Sequence, residues 1–224
     1  MDSPSQPSGI PNGFLQAQAT WGDYNNILSA VIAATTLMQT AMPVQIMACT
    51  NSGGLSAVGF VDVLPLVNQI DGQGKPTPHE TIYGIPYLRI QGGASAIILD
   101  PVPGDIGICV FASRDISKVK ATKAQANPGS WRTFDFSDGM YLGGILNGVP
   151  SQYIQFSAAG IGITSPTAVT LAAPTVAINA PTVNITATSS LNLSAPTVKI
   201  NGVDFTSHIH SNVTHGTDDT GPPV

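Results

Sequence analysis

The chain has 224 residues, a formal net charge of −5 and 9% charged residues, against about 25% in ordinary soluble domains. That acidic balance argues against nucleic acid as a partner, because its binders carry basic surfaces, and two widely separated cysteines, Cys49 and Cys109, fit reduced core positions of a protein made in a cytosol. There is no run of about 18 or more apolar residues that would span a membrane; the nearest stretch, residues 27–42, is interrupted by Ser29, Thr35, Thr36, Gln39 and Thr40.

Residues 1–42 read as an arm followed by a helix. The first 20 or so are rich in Ser, Pro, Gly and Gln and predict a loose arm. Met1-Asp2-Ser3-Pro4 has no basic segment ahead of an apolar one, so no signal peptide is expected. From Tyr24 to Met42, Ile27, Val31, Ala34 and Met38 recur at helical spacing; Asp23 is placed to cap the start and Pro43 to stop the end.

Residues 43–118 predict short strands separated by turns. Val44-Gln45-Ile46-Met47 precedes the turn Asn51-Ser52-Gly53-Gly54, and residues 57–63 follow it. Tyr87-Leu88-Arg89-Ile90 precedes Gly92-Gly93, and Ile97-Ile98-Leu99 leads into Pro101-Val102-Pro103-Gly104-Asp105. Ile106, Ile108 and Val110 then share one face of a strand, with Cys109 and Phe111 on the other. Some five antiparallel strands in so short a stretch suit a small OB-type barrel, with a sandwich as the alternative arrangement. Residues 119–149 read as a linker and the lead-in to a further element. The basic cluster Arg114, Lys118, Lys120 and Lys123 is read as a solvated strand end rather than a phosphate site.

Residues 150–206 contain an internal repeat. Ala173-Pro174-Thr175-Val176-Ala177-Ile178-Asn179 is followed by Ala180-Pro181-Thr182-Val183-Asn184-Ile185-Thr186 and later by Ala195-Pro196-Thr197-Val198-Lys199-Ile200-Asn201. Ser165-Pro166-Thr167 and Leu191-Asn192-Leu193 are degenerate members, and no charged or histidine side chain occurs between residues 139 and 198. Each unit is one short strand and one proline corner, with two apolar residues sharing a face. One chain's pair per strand cannot enclose a core, whereas three chains wound about an axis can, so a trimeric β-helix is expected. Burial of each such side chain would contribute about 1.5 to 3 kcal/mol before entropy.

Residues 207–224 follow as an apex. His208 and His210 are two apart, so on a strand they point the same way. Facing the axis in three chains, they bring six imidazoles together, a set that suits octahedral iron or nickel better than four-coordinate zinc. His215 falls outside that register, and His79, in the loop Thr77-Pro78-His79-Glu80, is expected to be exposed.

Catalysis is not expected. Glu80 is the only glutamate, Asp71, Asp105 and Asp138 sit in turns, and Asp100 with Asp105 is read as turn chemistry rather than an acid–base pair. No Gly-x-Ser-x-Gly, phosphate loop or His-Glu-x-x-His occurs.

Together these features resemble the central spike, or membrane-piercing tail-tip protein, of contractile-tailed bacteriophages. Tyr83-Gly84-Ile85-Pro86-Tyr87, Pro103-Gly104-Asp105-Ile106-Gly107 and Ser113-Arg114-Asp115-Ile116 are similar to its OB-type domain, Phe136-Ser137-Asp138-Gly139 to the start of its β-helix, and His208-Ile209-His210 with the Gly/Pro-rich tail to its apex. The resemblance implies a homotrimer at the virion's tail tip, made in the host cytoplasm, partnered by baseplate hub and tail-tube proteins and acting on the host outer membrane. It also implies one iron ion per trimer, held by His208 and His210 of each chain. The helix at residues 27–42 and the extra His215 depart from the pattern. A receptor-binding or polysaccharide-cleaving tailspike would share the rod but carry aromatic and acidic side chains along it, whereas Tyr153 and Phe156 are the only aromatics between residues 142 and 204. A secretion-system spike shares the architecture in longer chains, and a membrane protein anchored by residues 27–42 is a third reading.

Overall fold

A computed structural model of the chain describes residues 22–71 and 73–205. The fold is mainly β, with a short N-terminal helix and a curled antiparallel sheet. The chain divides into two units, Met1–Thr164 and Ser165–Val224.

Helix α1 spans Asp23–Thr36. Gly22, at φ 113°, holds the N-cap position without a side-chain bond, so Asp23 is the first helical residue rather than the cap. Its carboxylate still lies at the positive end of the helix. The helix stops short of the expected Met42. Thr35 and Thr36 bond back to the carbonyls of Val31 and Ile32 at 3.0 and 2.7 Å, an arrangement that weakens a helix end. The following residues are captured by a strand instead, and the Thr40 carbonyl accepts the Phe111 amide at 2.9 Å.

The strands of the first unit are β1 (Ala41–Cys49), β2 (Phe60–Pro65), β3 (Gln69–Ile70), β4 (Pro76–Thr77), β5 (Ile82–Pro86), β6 (Ile90–Gly92) and β7 (Ser95–Ile97). After them come β8 (Ile106–Phe111), helix α2 (Ser117–Thr122), β9 (Gly139–Gly144), β10 (Tyr153–Ser157) and β11 (Gly160–Thr164). Pro43, expected to end the helix, lies inside β1. It sits where the β1–β2 ladder begins, its carbonyl accepting the Leu66 amide at 3.0 Å, and a proline at a ladder end removes only one donor.

The principal sheet has the order β5-β2-β1-β8-β9. A parallel bridge between Tyr87 and Tyr141, with the Leu88 amide donating to the Tyr141 carbonyl at 2.8 Å, draws the two edge strands together. Val44, Ile46, Val61, Val63, Ile85, Tyr87, Cys109, Phe111 and Tyr141 fill the space inside. β8 shows the expected two faces, with the core on the Cys109 and Phe111 side. Gly107 belongs to that face because a Cβ there would overlap the Tyr141 ring and the Gly143 carbonyl. Both cysteines are free, Cys109 in the core and Cys49 packed against it.

The sheet reaches beyond the expected limit at residue 118. β9 comes from the stretch read as lead-in, and it pairs with β8 because Tyr141 completes the core. Phe136-Ser137-Asp138 forms a single 3-10 turn leading into that strand. His79, expected to be exposed, is half-buried with its ring edge-on to Phe136 at 5.1 Å.

In the second unit the chain bends at Pro166, Pro174, Pro181 and Pro196, the repeat's proline corners. Its only ladder among the described residues is β12 (Lys199–Ile200) with β13 (Val203–Asp204). Asn201 and Gly202 form the turn with φ 49° and 81°, as a tight Asn-Gly hairpin requires. No residue from 165 to 205 is buried.

Candidate functional site

The repeat leaves its apolar side chains in water. Val176, Ile178, Val183, Ile185, Leu191, Leu193 and Ile200 are 50 to 71% exposed, although their i, i+2 pairing is the pattern of a buried strand face. The β10–β11 hairpin does the same on a smaller scale. Ile154 lies opposite Ile163 and Phe156 opposite Ile161, so four apolar side chains share one exposed face. Up to Val198 neither surface carries a charge; Lys199 is the first charged residue of the repeat. Such an expanse on one chain is the mark of a surface made to be covered.

The predicted ligands His208 and His210 lie outside the described residues, as does His215. The last described residues form the β12–β13 hairpin, whose ladder is extended by the Phe205 amide donating to the Val198 carbonyl at 2.7 Å. The Asn201-Gly202 pair signalled this turn in the sequence, where Val198 to Asn201 was read as one more repeat.

Two buried ionic clusters in the first unit were not foreseen. In one, Arg132 meets Asp115 at 2.9 Å and Asp138 at 2.6 Å, with both carboxylates buried. Asp115 also accepts the Ser117 amide at 2.8 Å and the Ser130 hydroxyl at 2.7 Å. Hydrogen bonds from Ser117 and Ser130 and the charge of Arg132 hold its carboxyl down at about 2. The bond to Asp138 raises Arg132 above its ordinary value. Saturated in this way, the cluster fixes the segment from Ser130 to Arg132 against the starts of α2 and β9.

In the other cluster Asp100 receives Arg89, the Tyr87 hydroxyl at 2.6 Å and the Gly53 amide at 2.8 Å. Burial pushes the Asp100 carboxyl up, but hydrogen bonds from Tyr87, Arg89 and Gly53 outweigh it, and the net shift is downward. Burial, then Asp100, pushes the Tyr87 phenol up to about 12. Arg89 also donates to the Ser56 carbonyl at 2.7 Å, while its Nε is buried without a partner. The expected turn chemistry applies to Asp105, which caps the Val102 amide at 2.9 Å, but Asp100 has this ionic role instead. The signal available was the register, which sets Tyr87 and Arg89 on one face of an extended segment.

The basic cluster is divided in use. Arg114, Lys118 and Lys123 are exposed, whereas Lys120 reaches the carbonyls of Ser137 at 3.2 Å and Gly84 at 3.4 Å. Among the described residues no helix is long and apolar enough to cross a membrane. No family model matches the chain, and no curated protein matches it.

Proposed function

We propose that the chain is a non-enzymatic homotrimeric spike at the tip of a contractile phage tail, driven mechanically through the host outer membrane. The observation that carries this reading is the uncovered apolar row of residues 176–200. Three copies wound as an intertwined β-helix over residues 150–206 would each supply one wall, bury that row and pair the free backbone groups between chains.

The reading of the curled sheet as an OB-type barrel is supported by its connectivity. The first long strand pairs with the second and the fourth, and the fifth pairs with the fourth and bridges toward the third, the connectivity that a five-stranded Greek-key barrel would have. The uncharged stretch between residues 139 and 198 supports passage through lipid, since each charge carried to the bilayer centre costs about 2.5 to 3.5 kcal/mol. His208 and His210 of each copy would hold one iron ion and tie the three chain ends together at the apex. Baseplate hub and tail-tube proteins are the partners this role requires.

Absolute mass and elemental analysis of the purified protein test the proposal together. A trimeric particle with one iron for every three chains is the expected result. A metal-free trimer keeps the rod and removes the apex site. A monomer overturns the reading.

A further inference from the structure

Trp131 is 100% exposed, yet the residues on either side of it are fixed to the interior. Ser130 donates to the buried Asp115 carboxylate at 2.7 Å, and Arg132 donates to Asp115 at 2.9 Å and to Asp138 at 2.6 Å. Gly129 completes the attachment. A Cβ there would overlap the Ser117 hydroxyl and come within 2.9 Å of Asp115 Oδ2, so the loop lies closer than a larger residue allows. Tryptophan is ordinarily a well-buried side chain, and an indole held in water contributes no burial to the fold. A large exposed group whose neighbours are locked beneath it is the arrangement of a preformed binding contact.

Trp131 walls a groove of about 480 Å³ together with Arg114, Asn127, Pro128, Gly129 and Ser130, a size within the roughly 300–1,000 Å³ of small-ligand pockets. Among the described residues the lining holds no carboxylate and no Leu, Ile, Val, Met or Phe. Arg114 is exposed and makes no ion pair among the described residues. The connection from residue 112 to 138 carries five of the chain's eight basic residues but three of its thirteen acidic ones. Two of those three, Asp115 and Asp138, are buried against Arg132. On a chain that is otherwise acidic, this is the place that attracts an anion.

We propose that this groove binds an acidic saccharide, one sugar ring lying on the Trp131 indole and its carboxylate meeting Arg114. The indole offers a broad, rigid apolar surface to the C–H face of the ring. The guanidinium takes a carboxylate through two parallel bonds, and the Asn127 amide both donates and accepts, as sugar hydroxyls require. A protein partner would need an apolar surround that excludes water from the anchor, which this lining lacks. A nucleic-acid strand would stack successive bases on several aromatic side chains, and one indole serves one ring. The site goes beyond the spike reading, since it lies within the first unit and needs no second chain.

The test is a fluorescence titration of the full-length protein carrying Trp21→Phe, which leaves Trp131 as its one indole. Trigalacturonate is expected to shift the emission saturably. Maltotriose, of equal length but without charge, should bind about tenfold or more weakly, the contribution of one charge-assisted hydrogen bond. Arg114→Gln should bring trigalacturonate to the maltotriose value, and Trp131→Ala, followed by calorimetry, should abolish binding of both. Both changes are at exposed positions, so the fold is expected to survive them. No saturable response to trigalacturonate overturns the proposal, as does full binding by Trp131→Ala. An equal response to acetate would make the groove an ion site, and a tighter response to adenosine monophosphate would make the indole a platform for a base. Either result also overturns the saccharide assignment.

Discussion

Arg132 holds Asp138 side-on, Nε donating to Oδ2 at 2.6 Å and Nη2 to Oδ1 at 2.9 Å. Asp138 is fully buried, and its Oδ1 also accepts the Ile116 amide at 2.9 Å. One carboxylate thereby joins the residue before α2, the residue before β9 and the loop that carries Arg132. Asp138→Ala removes two of the guanidinium's three carboxylate bonds, leaving only the one to Asp115 at 2.9 Å, and leaves that amide without an acceptor; it is expected to destabilise the fold by about 1 to 3 kcal/mol. Arg132→Lys keeps the charge but loses the two-pronged geometry, and its urea midpoint should also fall. A midpoint equal to wild type in Asp138→Ala would remove the brace from the account.

Acid should attack the same cluster. The Asp115 carboxyl is lowered from 3.8 to about 2 by hydrogen bonds from Ser117 and Ser130 and by Arg132. A carboxyl with a folded value below its unfolded one stabilises the fold above the unfolded value, and the contribution disappears as pH falls from about 4 to about 2. Urea midpoints should therefore drop across that window, and the drop should be shallower in Asp115→Asn. An identical pH profile in the variant would assign acid sensitivity to other carboxylates.

The two thiols should separate cleanly. Burial pushes Cys109 up to about 12, so almost no thiolate forms at neutral pH, and its side chain is enclosed by the core. Cys49 is half-buried at the end of β1. A maleimide at neutral pH is expected to modify Cys49 first and Cys109 only when the protein is unfolded, as peptide mass spectrometry would report. Labelling of native Cys109 at the rate of Cys49 would mean that the β8–β9 pairing opens readily.

The parts of the fold legible in the sequence are those written as short-range pattern. Alternation located β8 and its Cys109 face, turn residues separated β1 from β2, and prolines marked the bends of the repeat. Long-range pairing was not legible. Whether residues 37–42 continue a helix or join a strand depends on β8, about 70 residues away, and local spacing favoured the helix. β9 escaped notice because its glycines weaken the alternation while Tyr141 alone supplies the core contact. Arg89 with Asp100 and Arg132 with Asp138 were invisible for a related reason: single charged residues carry no period, and folding sets their distances. The candidate ligands His208 and His210 came from their spacing after the repeat and from the family resemblance, and they lie outside the described residues.

The repeat offers a decisive contrast between adjacent residues. Asn184 and Ile185 are adjacent in sequence, so in the strand of the proposed trimer they would face opposite ways, with only one of the two faces buried. In the proposed trimer Ile185→Asp would place a charge in the shared core, one in each chain, and exchange an apolar contact of about 1.5 to 3 kcal/mol per chain for an unpaired ion. It is expected to abolish the trimer in sedimentation or light scattering. Under the proposed function Asn184→Lys would put the charge on the outer face, where the trimer should form normally while infection by a phage carrying it would slow through the cost of bringing lysine into lipid. Trimers of equal mass from both variants would mean that the row at Val183 and Ile185 is not the buried face. A normal trimer with unchanged infection in Asn184→Lys would leave the rod intact and take the uncharged shaft out of the piercing mechanism.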